Sequence, residues 1–174
     1  FACDITDGAA VEQLVAAVTA RFGRLDILVN DAAYNKAIPF PDLDGLTIEE
    51  WDRIIAVNLT GPMRLIKTVA PILKAQGSGR IVNIASVAGL IHLTRCMAVA
   101  LAPEVLVNCV APGLLEGTRA TENLRAEQVE RANAGALLKR AADKDDCAAM
   151  VVEMCRTGTM TGQTVVVDAG RVFH

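Results

Sequence analysis

Three polar side chains sit where this sequence could do chemistry on a small molecule. Ser86 follows the apolar run Arg80-Ile81-Val82-Asn83-Ile84, in the small-residue turn Ala85-Ser86-Val87-Ala88-Gly89. A hydroxyl there can be aimed at a substrate oxygen, although a serine after a strand also serves as a plain turn cap. Asn58 lies in a helical stretch whose neighbours Ile54, Ile55, Leu65, Ile66, Val69 and Ile72 are apolar, with Trp51, Asn58, Leu65 and Ile72 spaced by seven. An amide on such a face needs partners. Four residues on stands Pro62, which has no N–H for the Asn58 carbonyl and whose ring crowds that carbonyl. The pair predicts a kink and a freed backbone oxygen able to hold a water; the alternative is a kink whose amide is satisfied locally. Asp4, in Asp4-Ile5-Thr6-Asp7, ends a short apolar run and suits either a ligand contact or an ordinary turn. Asp168, before Ala169-Gly170, reads as a strand-end turn.

The elements that must position these residues follow from hydropathy. Four β-branched runs, at Leu25–Val29, Arg80–Ile84, Val105–Val110 and Thr164–Val167, are nearly continuous rather than alternating, as strands covered on both faces require. Helical patterns separate them. Asp7 can cap a helix with Val11, Leu14, Val15, Val18 and Phe22 on one stripe, stopped by Gly23. Thr47-Ile48-Glu49-Glu50 is a capping box opening a helix that runs to about Gln76. Asp143 caps another, with Cys147, Val151, Met154 and Cys155 inward and Gly158 at its end. Alternation of this kind predicts an α/β fold: a doubly wound parallel sheet with helices on both faces, as one domain over residues 1–174. Residues 34–46, with Pro39 and Pro41, and residues 111–120 read as loops. In such sheets ligands bind at the strand carboxyl ends, which directs attention to Asn30-Asp31-Ala32-Ala33, to the Ser86 turn and to Ala111-Pro112-Gly113.

Composition narrows the function classes. The 174 residues are 52% hydrophobic and 21% charged, an ordinary globular balance. The net charge of −3 and the absence of a Lys/Arg cluster give no support for nucleic-acid binding. The longest uncharged run, Ile81 to Thr94, is too short to span a bilayer. Five cysteines, Cys3, Cys96, Cys109, Cys147 and Cys155, are scattered without a CxxC, and there are two histidines. That pattern argues against a zinc site or a disulfide framework and favours a reducing, cytoplasmic setting, with the cysteines as buried small hydrophobes.

The motif order resembles the short-chain dehydrogenase/reductase family. Phe22 to Ala33 resembles its "fGrLDiLVNNAG" strand and turn, and Trp51 to Gly61 its "wd.vi.vNltG" helix. Gly79 to Gly89 resembles "GrIVNisSvaG", Val107 to Gly113 "rVNaVaPG", and Thr161 to Asp168 the closing "tGq.i.vD". The resemblance implies a Rossmann-type fold and an oxidoreductase moving hydride between nicotinamide of NAD or NADP and a carbonyl or secondary alcohol. It implies that Ser86 bonds the substrate oxygen and that Asn58 holds a relay water through its carbonyl. Asp4, Asn30 and Ala32 would line the adenosine side of the cofactor, and Pro112, Gly113 and Thr118 the nicotinamide side. It further implies a homo-oligomer, dimer or tetramer, with the second helix packed on its symmetry copy. No metal is implied. Asp31-Ala32-Ala33 departs from the family's Asn-Ala-Gly.

Two family features are missing from these letters. The glycine-rich TGxxxGxG loop with the first two strands would precede Phe1, and the Tyr-x-x-x-Lys segment would fall between Leu90 and Ile91. The only tyrosine is Tyr34. Hydride transfer to a carbonyl needs a proton donor, and a serine hydroxyl is a poor acid. A sheet short of two strands forgoes on the order of 10–20 kcal/mol of burial, comparable with a domain's net stability. The expectation is therefore a polypeptide longer than the 174 residues printed, with a break at Leu90–Ile91. As printed it should not turn over, and the alternative is a catalytically inactive nucleotide-binding or scaffolding relative. A flavodoxin-like binding module is a third option.

Overall fold

The computed structural model describes residues 1–36, 38, 44–85, 88–118, 121–122 and 124–171. Ser86, and Pro39 and Pro41 of the proline-containing loop, lie outside the described residues.

Four strands form one sheet in the order β1 (Ile27–Asn30), β2 (Gly79–Ile84), β3 (Val105–Pro112) and β4 (Thr164–Val167), every neighbouring pair parallel. Between them run α1 (Gly8–Phe22), α2 (Ile48–Ile55), a π turn (Ala56–Thr60), α3 (Gly61–Ala75), α4 (Ala88–Leu101), α5 (Ala126–Gly135) and α6 (Lys144–Arg156). The sheet is covered on both faces. Val15 of α1, Ile66, Val69 and Leu73 of α3, and Ala98 and Leu101 of α4 pack on Ile81, Val105 and Val107. On the opposite face Met154 of α6 packs on Val82 and Val110, with Met150, Val151 and Cys155 beside it. The doubly wound α/β expectation holds.

Capping explains where the helices begin and end. The Asp7 carboxylate accepts from the Ala9 and Ala10 amides, and Gly23 closes α1 in the left-handed region at φ 75°, its N–H donating to Thr19 O. Thr47 Oγ1 accepts from Glu50 N to open α2, and Asp143 accepts from Asp145 N to open α6.

Several expectations need correction. Phe22, at the last position of α1, is 66% exposed, because the buried stripe of that helix is carried by Val11 and Val15. Ile27 and Val29 are nearly half exposed, so β1, an edge strand of these four, is not covered on both faces. Trp51 is 50% exposed and does not continue the Asn58–Leu65–Ile72 stripe. The π turn is the reason: its extra residue rotates everything before it relative to everything after. Cys96 is exposed, whereas Cys109 and Cys147 are buried. Helix α6 ends at Arg156 with Thr157 as its cap, one residue before Gly158. Helix α5 forms beyond the loop read at residues 111–120.

The connection from β2 to α4 is short, and Leu90 and Ile91 are consecutive residues of α4. The Thr94 hydroxyl donates to Leu90 O across that point.

Candidate active site at the strand carboxyl ends

Asn30 and Asn83 are register partners at the carboxyl ends of β1 and β2. Both are buried, and Asn30 Nδ2 donates to Asn83 Oδ1 at 2.7 Å. Asn83 Nδ2 in turn donates to Thr94 Oγ1 at 2.9 Å, which donates to Leu90 O. This polar chain ties the end of β1 to the first turns of α4. Asn30 Oδ1 is buried and has no hydrogen-bond partner among the described residues. Asn83 and Thr94 were missed in the sequence reading. The signal was an asparagine inside the apolar run Arg80–Ile84, since an amide buried on a strand must be bonded to something.

Pro62 acts as its chemistry requires. The chain answers the missing N–H with the π turn, in which Gly61 N–H reaches back five residues to Ala56 O. Asn58 sits in that turn, and its amide is satisfied locally: Oδ1 accepts from Tyr34 N and Nδ2 donates to Tyr34 O, both at 2.8 Å. The clasp brings the turn that follows Asn30 against the helix. Asp31, Ala32 and Ala33 lie exposed along it.

The segment bearing Ser86 is bracketed by described neighbours. Ala85 N donates to Val110 O at 2.8 Å. On the other side, a Cβ on Gly89 would stand 3.5 Å from Leu59, the residue after Asn58. The π turn and the start of α4 thus pack together.

At the end of β3, Gly113 N donates to Val167 O. A Cβ on Gly113 would lie 2.7 Å from Asp168 Cβ and 2.8 Å from its Cα, so only glycine permits this approach. Pro112 precedes it, half-buried. Thr118 is tied within its own loop, donating to Leu115 O at 3.1 Å and sharing a hydroxyl contact with Thr121 at 3.0 Å. Asp4 is exposed and accepts from both the amide and the hydroxyl of Thr6, which hold its carboxyl below the ordinary aspartate range. Arg64 of α3 donates to Thr6 O at 2.7 Å and fixes that turn. The Asp4 carboxylate thus caps its own turn while remaining exposed.

Tyr34 does not supply an acid. Its hydroxyl interacts with the Glu50 carboxylate, which raises the phenol above its usual range. No group of three or more His, Cys, Asp or Glu able to hold a metal occurs among the described residues. A cavity of about 210 Å³ opens near Arg140, Asp143, Asp146 and Asp168, and none of the residues singled out above for cofactor or substrate lines it.

A family model described as Enoyl-(Acyl carrier protein) reductase matches residues 1–171. A protein of Streptomyces violaceoruber assigned as ketoacyl reductase 2 of the granaticin polyketide synthase is 34% identical, over 96% of this chain and 74% of its own length. Human dehydrogenase/reductase SDR family member 4 is 30% identical, over 97% and 67%. The 3-oxoacyl-[acyl-carrier-protein] reductase FabG of Thermotoga maritima is 30% identical, over 99% and 76%. These alignments run over 185, 188 and 196 positions, more than the 174 residues of the chain, so each relative has internal positions without a counterpart here. A solved structure from Burkholderia xenovorans, assigned to the short-chain dehydrogenases/reductases, superposes with a TM-score of 0.86 at 24% identity, covering 98% of this chain and 74% of that one. The chain belongs to the short-chain dehydrogenase/reductase family.

Proposed function

We propose that this chain serves an NAD(P)-dependent oxidoreductase that moves a hydride between nicotinamide and a carbonyl or secondary alcohol carbon. One observation carries the reading. The parallel sheet brings the Asn30–Ala33 turn, the β2–α4 connection and Pro112–Gly113 to one end, with Asn58 clasping the first of them. That end is where ligands bind in open α/β sheets.

The residues present fit part of a dinucleotide. Small, exposed side chains follow β1 at Ala32 and Ala33, and the orphaned Asn30 Oδ1 is an acceptor in want of a donor. Asp4, Asn30 and Ala32 would hold the adenosine side, and Pro112, Gly113 and Thr118 the nicotinamide side. Bound nicotinamide supplies or accepts the hydride. Ser86 donates a hydrogen bond to the substrate oxygen and orients it. The Asn58 carbonyl, denied its α-helical donor by Pro62, holds a water. The proton donor is assigned to no residue of the 174, since the only tyrosine is engaged with Glu50.

Assembly as a dimer or tetramer and a cytoplasmic setting belong to the same reading. Exposed Ile48 and Trp51 on α2 support the first, and unpaired cysteines the second. No helix among the described residues is long and apolar enough to cross a membrane.

The test is titration with NADH and NADPH, followed by assay against a panel of ketones and 3-oxoacyl thioesters. The expected result is saturable binding of a reduced nucleotide and, where turnover occurs, a loss of about 10²–10³-fold in kcat for Ser86→Ala, the scale of one oxyanion donor. Failure to bind either nucleotide refutes the reading.

A further inference from the structure

The segment after β1 contains no helix or strand through Lys36, so its position is set by what its side chains and backbone touch. Four contacts converge on Tyr34 and Lys36 from one side. Asn58 takes both the N–H and the carbonyl of Tyr34 at 2.8 Å. The Arg53 guanidinium stands 4.1 Å from the centre of the Tyr34 ring. The Glu50 carboxylate pairs with Lys36 Nζ at 3.0 Å, its side chain only 12% exposed.

Glu50 and Arg53 are one helical turn apart on α2 and share a face. Asn58 lies five residues beyond Arg53, a spacing that would carry it off that face in an unbroken α-helix. Asn58 itself lies inside the π turn, Ala56–Thr60. Glu50, Arg53 and Asn58 thus all reach Tyr34 or Lys36 from one continuous helical segment.

We propose that Tyr34, held by Asn58 and Arg53, is a positioning residue: a pin that fixes the exposed Asp31–Ala33 turn and so sets the affinity of the cleft for its nucleotide. The second half of this statement rests on the function proposed above. Arg53 over the ring supplies a cation–π contact, the Asn58 amide holds the backbone on both sides, and Glu50 anchors the chain two residues on through its ion pair with Lys36. Three independent attachments to Tyr34 and Lys36 leave the turn little freedom to move relative to the helix.

The experiment uses the whole chain with Tyr34→Phe, Tyr34→Ala, Glu50→Gln and Arg53→Lys. The first readout is amide hydrogen exchange of residues 31–36. Tyr34→Ala, which removes the ring from Arg53, should speed it about tenfold or more, and Glu50→Gln, which weakens the Lys36 pair, by about tenfold, the scale of one hydrogen bond to a charged group; Tyr34→Phe, which keeps the ring, should change it little. Arg53→Lys, which keeps a cation over the ring, should change it little, and amides of β2 and β3 should not respond. The second readout is nucleotide affinity, which should weaken about tenfold in Tyr34→Ala and change little in Tyr34→Phe. Unchanged exchange at residues 31–36 in Tyr34→Ala overturns the pin, whatever the nucleotide does. Faster exchange with unaltered nucleotide affinity overturns its link to binding. Absence of nucleotide binding by the unaltered chain overturns the function proposed above, and exchange still decides the pin.

Discussion

Asn83→Val should be among the most destabilising substitutions of a polar residue in this protein. Valine suits a buried strand and adds no bulk over asparagine, so packing is not the issue. The change removes the hydrogen bond made by the Asn30 side-chain amide, its only one among the described residues, where its Oδ1 already has no partner. It leaves that side chain, 4% exposed, without any partner among the described residues. It also removes the bond that Thr94 Oγ1 accepts, although Thr94 keeps its own donation to Leu90 O. A stranded buried polar group costs about 1–3 kcal/mol, and the lost bonds bring the expected total to about 3 kcal/mol. With a urea m-value of about 2 kcal/mol per M, the midpoint should fall by about 1.5 M. Asn30→Val should cost less, about 1 kcal/mol, because it strands Asn83 Oδ1 but deletes an oxygen that was already unpaired. The double variant should be no worse than Asn83→Val alone, and so at least about 1 kcal/mol better than the sum of the singles, since replacing both partners leaves nothing stranded between them. Additive losses in the double-mutant cycle, or a fall below about 1 kcal/mol for Asn83→Val, would refute the reasoning.

Two further outcomes test other parts of the structure. Hydrogen bonds from Tyr34 and Lys36 hold the Glu50 carboxyl below the ordinary glutamate range. Its stabilising contribution is therefore present above that range and is lost as pH falls through the lower folded value. The melting-temperature difference between the unaltered chain and Glu50→Gln should be constant near neutrality and shrink on acidification; a difference independent of pH would contradict it. Gly113→Ala forces a methyl to within 2.8 Å of the Asp168 backbone. It should cost about 1–3 kcal/mol by denaturant unfolding, as overpacking against unyielding atoms does, and an unchanged midpoint would show that the two segments are not held together.

Much of the frame was legible in the sequence because its signals are local. Asp7, Gly23, Thr47 and Asp143 act within their own helix turns, and their caps form where their types require. The apolar runs at residues 80–84 and 105–110 had only one environment that could bury them on both faces. Pro62 announced a distortion at Asn58 for the same reason: the missing N–H and its acceptor are four residues apart. Fold class and the order of the strand-end turns followed from these.

Tertiary structure decided what depends on residues far apart in the chain. That Asn58 spends its amide on Tyr34, that Asn30 leans on Asn83 and Asn83 on Thr94, and that Gly113 must be small because Asp168 passes over it are facts about neighbours 11 to 55 positions apart. The exposure of Phe22 and Trp51 belongs here too. Periodicity assigns a side chain to a stripe, but the π turn resets the phase midway, and a helix end can overhang the core that its middle covers. Hydropathy in one dimension records which residues prefer burial; only the packed chain settles which of them find a partner, because a hydrogen bond or a close contact has two ends.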